Sequence, residues 1–333
     1  NRLTDLSNNQ NNGLLNEFAL SSDVSGSNWT GGYAGTVYAD TDNDGYGDPN
    51  SSVVTTTACF LSGYVSDNTD CDDNNPGIHT GCVVIPAAAL NFNAPPAQFV
   101  DITNTNVGNF GNTDFTIEFN LKTTQSDAYI LSKRGPSCGP DNFWNMGLQN
   151  GKISFEFDQD PTNTNYTTGV GNIAVNDGNW HHVALSRVNG TASLYIDGNL
   201  DISASLPTII NTVYALRLGS SPCATSQGNP QLEYHGSLDE VRIWSVGRTQ
   251  LQIQANLTCE IAAQPGLEAA YHFNQGIAGG NNTGITTLTD GSGNGNDGVL
   301  NNFALIGAAS NWVAPGAVIS GTVCVPQNCN VVL

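Results

Sequence analysis

Residues 177–198 read DGNWHHVALSRVNGTASLYIDG. Val183 and Leu185, then Leu194 and Ile196, recur at the two-residue period of a strand with one buried face. Asp177-Gly178, Asn189-Gly190 and Asp197-Gly198 punctuate the stretch, and such pairs supply the positive φ angles of tight hairpin turns. The pattern extends outward. Phe115, Ile117, Phe119 and Leu121 alternate with Thr116, Glu118 and Asn120, which predicts a half-buried strand. Ile153, Phe155 and Phe157 follow the Asn150-Gly151 turn and alternate with Ser154 and Glu156, and Val241 and Ile243 repeat the spacing. Only RTQLQIQANL, residues 248–257, predicts a short helix. Many short strands joined by Gly and Asn turns predict an all-β, two-sheet antiparallel sandwich over residues 83–316.

The rest of the composition agrees. The chain has 42 Asn, 37 Gly, three Lys and a net charge of −20. Its polar bulk is turn and β-edge chemistry rather than the Ala/Glu/Lys chemistry of helices. Such an excess of carboxylate opposes nucleic acid and anionic membrane surfaces, and suits divalent cations. No apolar run reaches 18 residues, so no direct membrane insertion is expected. The sequence starts at Asn1 without a basic and apolar leader, and reads as mature or excised protein. Eight cysteines, even in number and without CxxC spacing, predict disulfides in a secreted, extracellular protein. The expected pairs are Cys59–Cys71, Cys138–Cys223 and Cys324–Cys329, leaving Cys82 with Cys259.

Residues 37–82 are acidic, cysteine-bearing and poor in aliphatic periodicity, so metal and disulfide must stabilise them. Residues 40–48 read DTDNDGYGD. Asp40, Asp42 and Asp44 fall at positions 1, 3 and 5 of an EF-hand-type loop, Gly45 at 6, the Tyr46 carbonyl at 7 and Asp48 at 9. Position 12 is Ser51 instead of a bidentate Glu. Asp67, Asp70, Asp72 and Asp73 are the candidates for the missing oxygens, held close by the Cys59–Cys71 link. The arrangement resembles thrombospondin type 3-like calcium repeats of bacterial surface proteins, and calcium is the expected cofactor.

Three stretches, DGNWHHVALSR (177–187), ASLYIDG (192–198) and GSLDEVRIWSVGRT (236–249), resemble in order and spacing the laminin-G-like or pentraxin-like jelly roll of the concanavalin A-like group. The resemblance covers roughly residues 87–305. It implies a jelly-roll sandwich that binds sugars or proteins at one rim, often with calcium. In this chain Asn93-Ala94-Pro95-Pro96 stands where acidic rim residues are expected. Phe143 and Trp144, in the loop 133–147, are a candidate glycan platform. No strand carries the carboxylate cluster of jelly-roll glycosidases, and the histidines lack ligand spacing, so no enzyme is expected.

The two ends of the chain repeat each other. LTDLSNNQNNGLLNEFAL (3–20) and LTDGSGNGNDGVLNNFAL (288–305) share 12 of 18 positions. The match resumes at Asn28-Trp29 with Asn311-Trp312, and at Gly35-Thr36-Val37 with Gly321-Thr322-Val323. Residues 1–36 therefore read as the terminal strand segment of a preceding or neighbouring jelly roll. Residues 37–82 are then a connector, 83–316 the sandwich, and 317–333 the start of the next linker. The expected function is non-enzymatic: one repeat or subunit of a bacterial extracellular filament or surface adhesin. It would assemble head to tail with copies of itself, by calcium-stiffened connectors and strand donation from residues 1–36. The alternative is a carbohydrate-binding, lectin-like module.

Overall fold

The computed structural model describes residues 2–3, 13–14, 35–48, 51–55, 63–70, 88–93, 96–139, 141–160, 162, 164–207, 211–226, 228, 232–306 and 310–324. The chain divides into two units, residues 1–84 and 85–333. In the first, β1 (Arg2–Leu3) pairs antiparallel with β2 (Gly13–Leu14) as a sheet of its own. Strand β3 (Gly35–Ala39) lies between β4 (Ser52–Thr55) and β5 (Tyr64–Val65). Among the described residues, Val37 is the one buried apolar side chain of this unit. A sheet with so little core needs another source of order.

The second unit carries β6 (Ala89–Phe92), β7 (Phe99–Ile102), β8 (Phe115–Lys122), β9 (Ala128–Lys133) and β10 (Phe143–Gln149). Then come β11 (Lys152–Asp158), β12 (Thr167–Ala174), β13 (Trp180–Val188), β14 (Thr191–Ile196), β15 (Asn199–Ser205) and β16 (Leu216–Leu218). After α1 (Pro222–Ser226) follow β17 (Gly236–Trp244), α2 (Gln250–Ala255) and β18 (Leu267–Tyr271). The last strands are β19 (Thr287–Leu288), β20 (Gly298–Asn301) and β21 (Trp312–Val313). One sheet has the order β12-β11-β10-β9-β16-β7-β20-β19. The other runs β15-β14-β13-β8-β17-β6-β21, with β18 also paired to β17. The fold is thus all-β, an antiparallel two-sheet sandwich.

The core follows the two-residue period. Phe115, Ile117, Phe119, Leu121, Val183, Leu185, Leu194 and Ile196 pack with Ile153, Phe155 and Phe157 from the facing sheet. Asn189 and Gly190, then Asp197 and Gly198, all have φ between +49° and +79°, which lets β13, β14 and β15 run as a tight meander. The predicted helix shrinks to α2, opened by a Thr249–Gln252 capping box.

Strand β8 is not half-buried. Thr116, Glu118 and Asn120 are all 3% exposed or less, because residues 246–259 lie across that face. Glu118 faces Arg242 and Arg248 at 3.4 Å each, and Arg242 also donates to Glu240, Asn256 O and Cys259 O. Burial raises the Glu118 carboxyl, but the His182 hydrogen bond and the Arg248 and Arg242 charges outweigh it and hold it at about 2. The motif residues Glu240 and Arg242 are thus internal supports.

Cys138 is joined to Cys223, tying the loop after β9 to α1. Cys324 is joined to Cys259, which corrects the expected Cys324–Cys329 and Cys82–Cys259 pairs. The backbone explains this choice: Glu260 N donates to Thr322 O, and Cys324 N donates to Glu260 O. Val318 is buried, with its N–H on Asp239 Oδ2 at 2.9 Å. Residues 317–324, read as linker, are therefore fastened to the sandwich. Cys59, Cys71, Cys82 and Cys329 lie outside the described residues.

Candidate metal centre and candidate ligand face

Strand β3 delivers Asp40 directly into the loop 40–48. The loop turns at Asn43 and Gly45, with φ of +60° and +93°. Gly47 has no room for a side chain: a Cβ there would stand 2.6 Å from that of Tyr38 and 2.8 Å from Asp67 O. Asp48 N returns to Ala39 O at 2.8 Å and closes the loop. Asp40 accepts from the amides of Asp44 and Gly45, and Asp44 accepts from Tyr46 N at 2.9 Å. These bonds hold Asp40, Asp42 and Asp44 so that one ligand atom from each lies within 4.8 Å of the others.

Asp70 N donates to Gly47 O at 3.2 Å, which brings a fourth, buried acid alongside. The Asp42 carboxyl is pushed up by partial burial and by the charges of Asp44, Asp70 and Asp40. Its Oδ2 is buried without a hydrogen-bond partner. Convergent hard oxygens with mutual repulsion fit a divalent cation, and Asp40, Asp42 and Asp44 would hold it with Asp70 beside them. Tyr46 and Asp48 sit on the same loop. Asp67 Oδ1 accepts from both Thr69 N and Thr69 Oγ1. Asp72 and Asp73 lie outside the described residues.

The proposed aromatic platform does not form. Trp144 is fully buried, donates Nε1–H to Gly108 O at 3.0 Å and stacks near Phe110 and Phe157. Phe143 is 3% exposed beneath the Arg134 guanidinium, 3.7 Å from its ring centroid. Both are consumed by packing because β10 is an inner strand, between β9 and β11.

A cleft of about 290 Å³ opens on the outer face of those same strands, lined by Asp127, Tyr129, Asn145, Gln149, Ser154 and Glu156. A polar relay runs through two of its lining residues, Asn145 and Glu156. Ser132 Oγ lies 3.0 Å from Ser221 Oγ and 2.6 Å from Asn145 Oδ1. Asn145 Nδ2 donates to Glu156 Oε1 at 3.0 Å, and Tyr166 OH donates to Glu156 Oε2 at 2.9 Å. Burial, then the Glu156 charge and hydrogen bond, push the Tyr166 phenol up to about 12. Sequence reasoning saw Glu156 only as a lone strand carboxylate. The cleft joins three strands, β9, β10 and β11, and the one local signal was the polar alternation of Ser154 and Glu156.

His181 and His182 have structural roles. His181 bridges Asp197 at 2.9 Å and Asp177 at 3.2 Å, and His182 faces the buried Glu118 at 3.4 Å.

Residues 97–254 match the laminin-G-type family described as the concanavalin A-like lectin/glucanases superfamily. Over these residues, somewhat under half of the chain, the sandwich resembles a laminin-G-like, concanavalin A-like jelly roll. A stretch of 113 residues, 32% of the chain, is 27% identical to the basement membrane-specific heparan sulfate proteoglycan core protein of Mus musculus. The chain spans only 3% of that relative's length. Similar solved structures include a candidate carbohydrate binding protein from Bacteroides ovatus, with a TM-score of 0.46 and 15% identity, over 77% of this chain and 69% of that one. Another is the CBM40 of the Ruminococcus gnavus IT-sialidase bound to α2,3-sialyllactose, with a TM-score of 0.42 and 18% identity, over 52% and 97% of the respective chains. Mouse laminin α1 LG4-5 follows at a TM-score of 0.36 and 18% identity, over 51% and 46%.

Proposed function

We propose that the chain is a non-enzymatic, extracellular structural and adhesive module, one repeat or subunit of a bacterial surface filament or adhesin. In this reading a lectin-like sandwich is carried head to tail on calcium-stiffened connectors. The observation that carries it is the convergence of Asp40, Asp42 and Asp44 in a unit whose described residues bury a single apolar side chain, Val37. Ion binding removes the freedom that a Gly/Asn linker otherwise has. Two disulfides support an oxidising, extracellular setting. Among the described residues no helix is long and apolar enough to cross a membrane.

Limited proteolysis of the full chain tests this reading. Calcium should protect residues 37–70, chelator should abolish the protection, and Asp42→Asn should raise the calcium needed. Equal cleavage with and without calcium would sink the connector.

A second reading, glycan binding, is favoured by the cleft. Tyr129 offers an aromatic ring, and Asn145 and Glu156 offer amide and carboxylate groups for sugar hydroxyls. A glycan array that shows binding by the wild type and loss in Glu156→Gln supports it. Binding unaffected by Glu156→Gln would remove this cleft from consideration.

A further inference from the structure

The hairpin β19–β20 and the segment that follows it close the sandwich, and their seat is specific. Strand β20 pairs with β7 in the register Gly298↔Ile102, Val299↔Asp101, Leu300↔Val100 and Asn301↔Phe99. The turn 290–296 docks on β18 through polar side chains. The Asp290 carboxylate accepts from Ala270 N, Ser292 N, Ser292 Oγ and Asn296 N, at 2.7 to 2.9 Å. Asn294 Nδ2 donates to Leu267 O at 2.9 Å, and Asn296 Nδ2 to Glu268 O at 2.8 Å. A Cβ on Gly298 would come 2.4 Å from Val100. Leu288 is buried, Phe303 packs edge-on against Phe92 at 5.2 Å, and Trp312 is fully buried.

The identities between the two ends of the chain fall on these docking groups. Leu3, Asp5, Ser7, Asn9, Asn11, Gly13, Leu15 and Phe18 stand where Leu288, Asp290, Ser292, Asn294, Asn296, Gly298, Leu300 and Phe303 stand. The match of Asn28-Trp29 to Asn311-Trp312 completes the set. The solvent-facing Val299 differs, being Leu14 in the other copy. The backbone agrees independently: β1 and β2 pair as Leu3↔Gly13 and Arg2↔Leu14, the same register as Leu288↔Gly298 and Thr287↔Val299. Among the described residues, the β1–β2 hairpin pairs with no other strand.

We infer that residues 2–29 of one copy dock on the sandwich of a second copy, in the seat that residues 287–306 and 310–313 fill here. This deepens the head-to-tail reading by naming the acceptor: the free edges of β7, β18 and β6 once the resident hairpin is displaced. Three positions must adapt. Leu6 replaces Gly291, where a Cβ would meet His272 Nε2 at 2.5 Å, so the imidazole has to swing aside, and Asn8 and Gln10 replace Gly293 and Gly295, whose φ of +83° and +71° favour glycine.

The test uses a fluorescent peptide of residues 1–34 and the full chain carrying Asp290→Ala, which loosens the resident hairpin. Asn296→Ala serves as a second opened variant, with native circular dichroism required of the chain used. The peptide should bind the opened chains, Asp5→Ala in the peptide should weaken binding at least ten-fold, and Leu6→Gly should tighten it. A peptide that binds neither natively folded variant, or binds equally well with Asp5→Ala, overturns the inference. The outcome is separable from the connector reading. Loss of the calcium response with intact peptide binding would sink the connector alone, and the reverse would sink only the docking.

Discussion

Replacing Arg242 with Met should destabilise the sandwich more than almost any other single change. Arg242 is fully buried and contacts two buried carboxylates, Glu240 at 2.9 Å and Glu118 at 3.4 Å. It also donates to Asn256 O at 3.0 Å and Cys259 O at 2.6 Å. Methionine preserves most of the volume but leaves those acids with Arg248, His182 and His272, and leaves the carbonyls with one donor fewer. Removing one partner of a buried ion pair costs about 3–5 kcal/mol, and each orphaned carbonyl adds about 1 kcal/mol or more. A total near 5 kcal/mol, at a urea dependence of about 2–3 kcal/mol per M, moves the unfolding midpoint down by roughly 2 M. The variant also changes the acid limb. The folded Glu118 carboxyl, at about 2, lies below its ordinary 4.5. Its contribution is therefore present above pH 4.5 and is lost as the pH falls toward 2. Without Arg242 the carboxyl rises, and acid unfolding begins at higher pH. Tryptophan fluorescence in urea, repeated from pH 7 to pH 3, reads both effects. A midpoint within about 0.4 M of wild type at pH 7, equivalent to roughly 1 kcal/mol, would refute the reasoning.

Two other outcomes follow from packing and cross-links. Cys324→Ser opens a disulfide spanning 65 residues, for which chain entropy predicts a loss of about 4 kcal/mol. Calorimetry should show the lower melting temperature, and hydrogen exchange should accelerate in residues 317–324; unchanged exchange there would contradict the fastening role. Trp144→Ala should cost about 3–5 kcal/mol through the cavity it leaves, measured by urea unfolding. Glu156→Gln on the outer face of the neighbouring strand should cost far less, and equal losses would contradict the assignment of Trp144 to the core.

Some of this was legible in the residues because the information is local. The alternation at Phe115–Leu121 and Val183–Leu185 assigns a core face, since side chains on a strand point to opposite sides in turn. The Asn-Gly and Asp-Gly pairs mark turns because few other residues tolerate positive φ. The loop 40–48 gathers its three carboxylates within a few residues of chain. The match of 3–20 to 288–305 needs only the two strings side by side. Tertiary structure decided what depends on distant partners. Strand β8 looked half-buried, yet residues 246–259 cover its second face and turn Glu118 into a buried ion-pair member. Cys324 met Cys259 because a parallel bridge at Glu260 and Val323 brings the tail to that loop. Phe143 and Trp144 were spent on packing, while the cleft arose from side chains on three adjacent strands. A period reports which way a side chain points; only the folded chain determines what lies there to meet it.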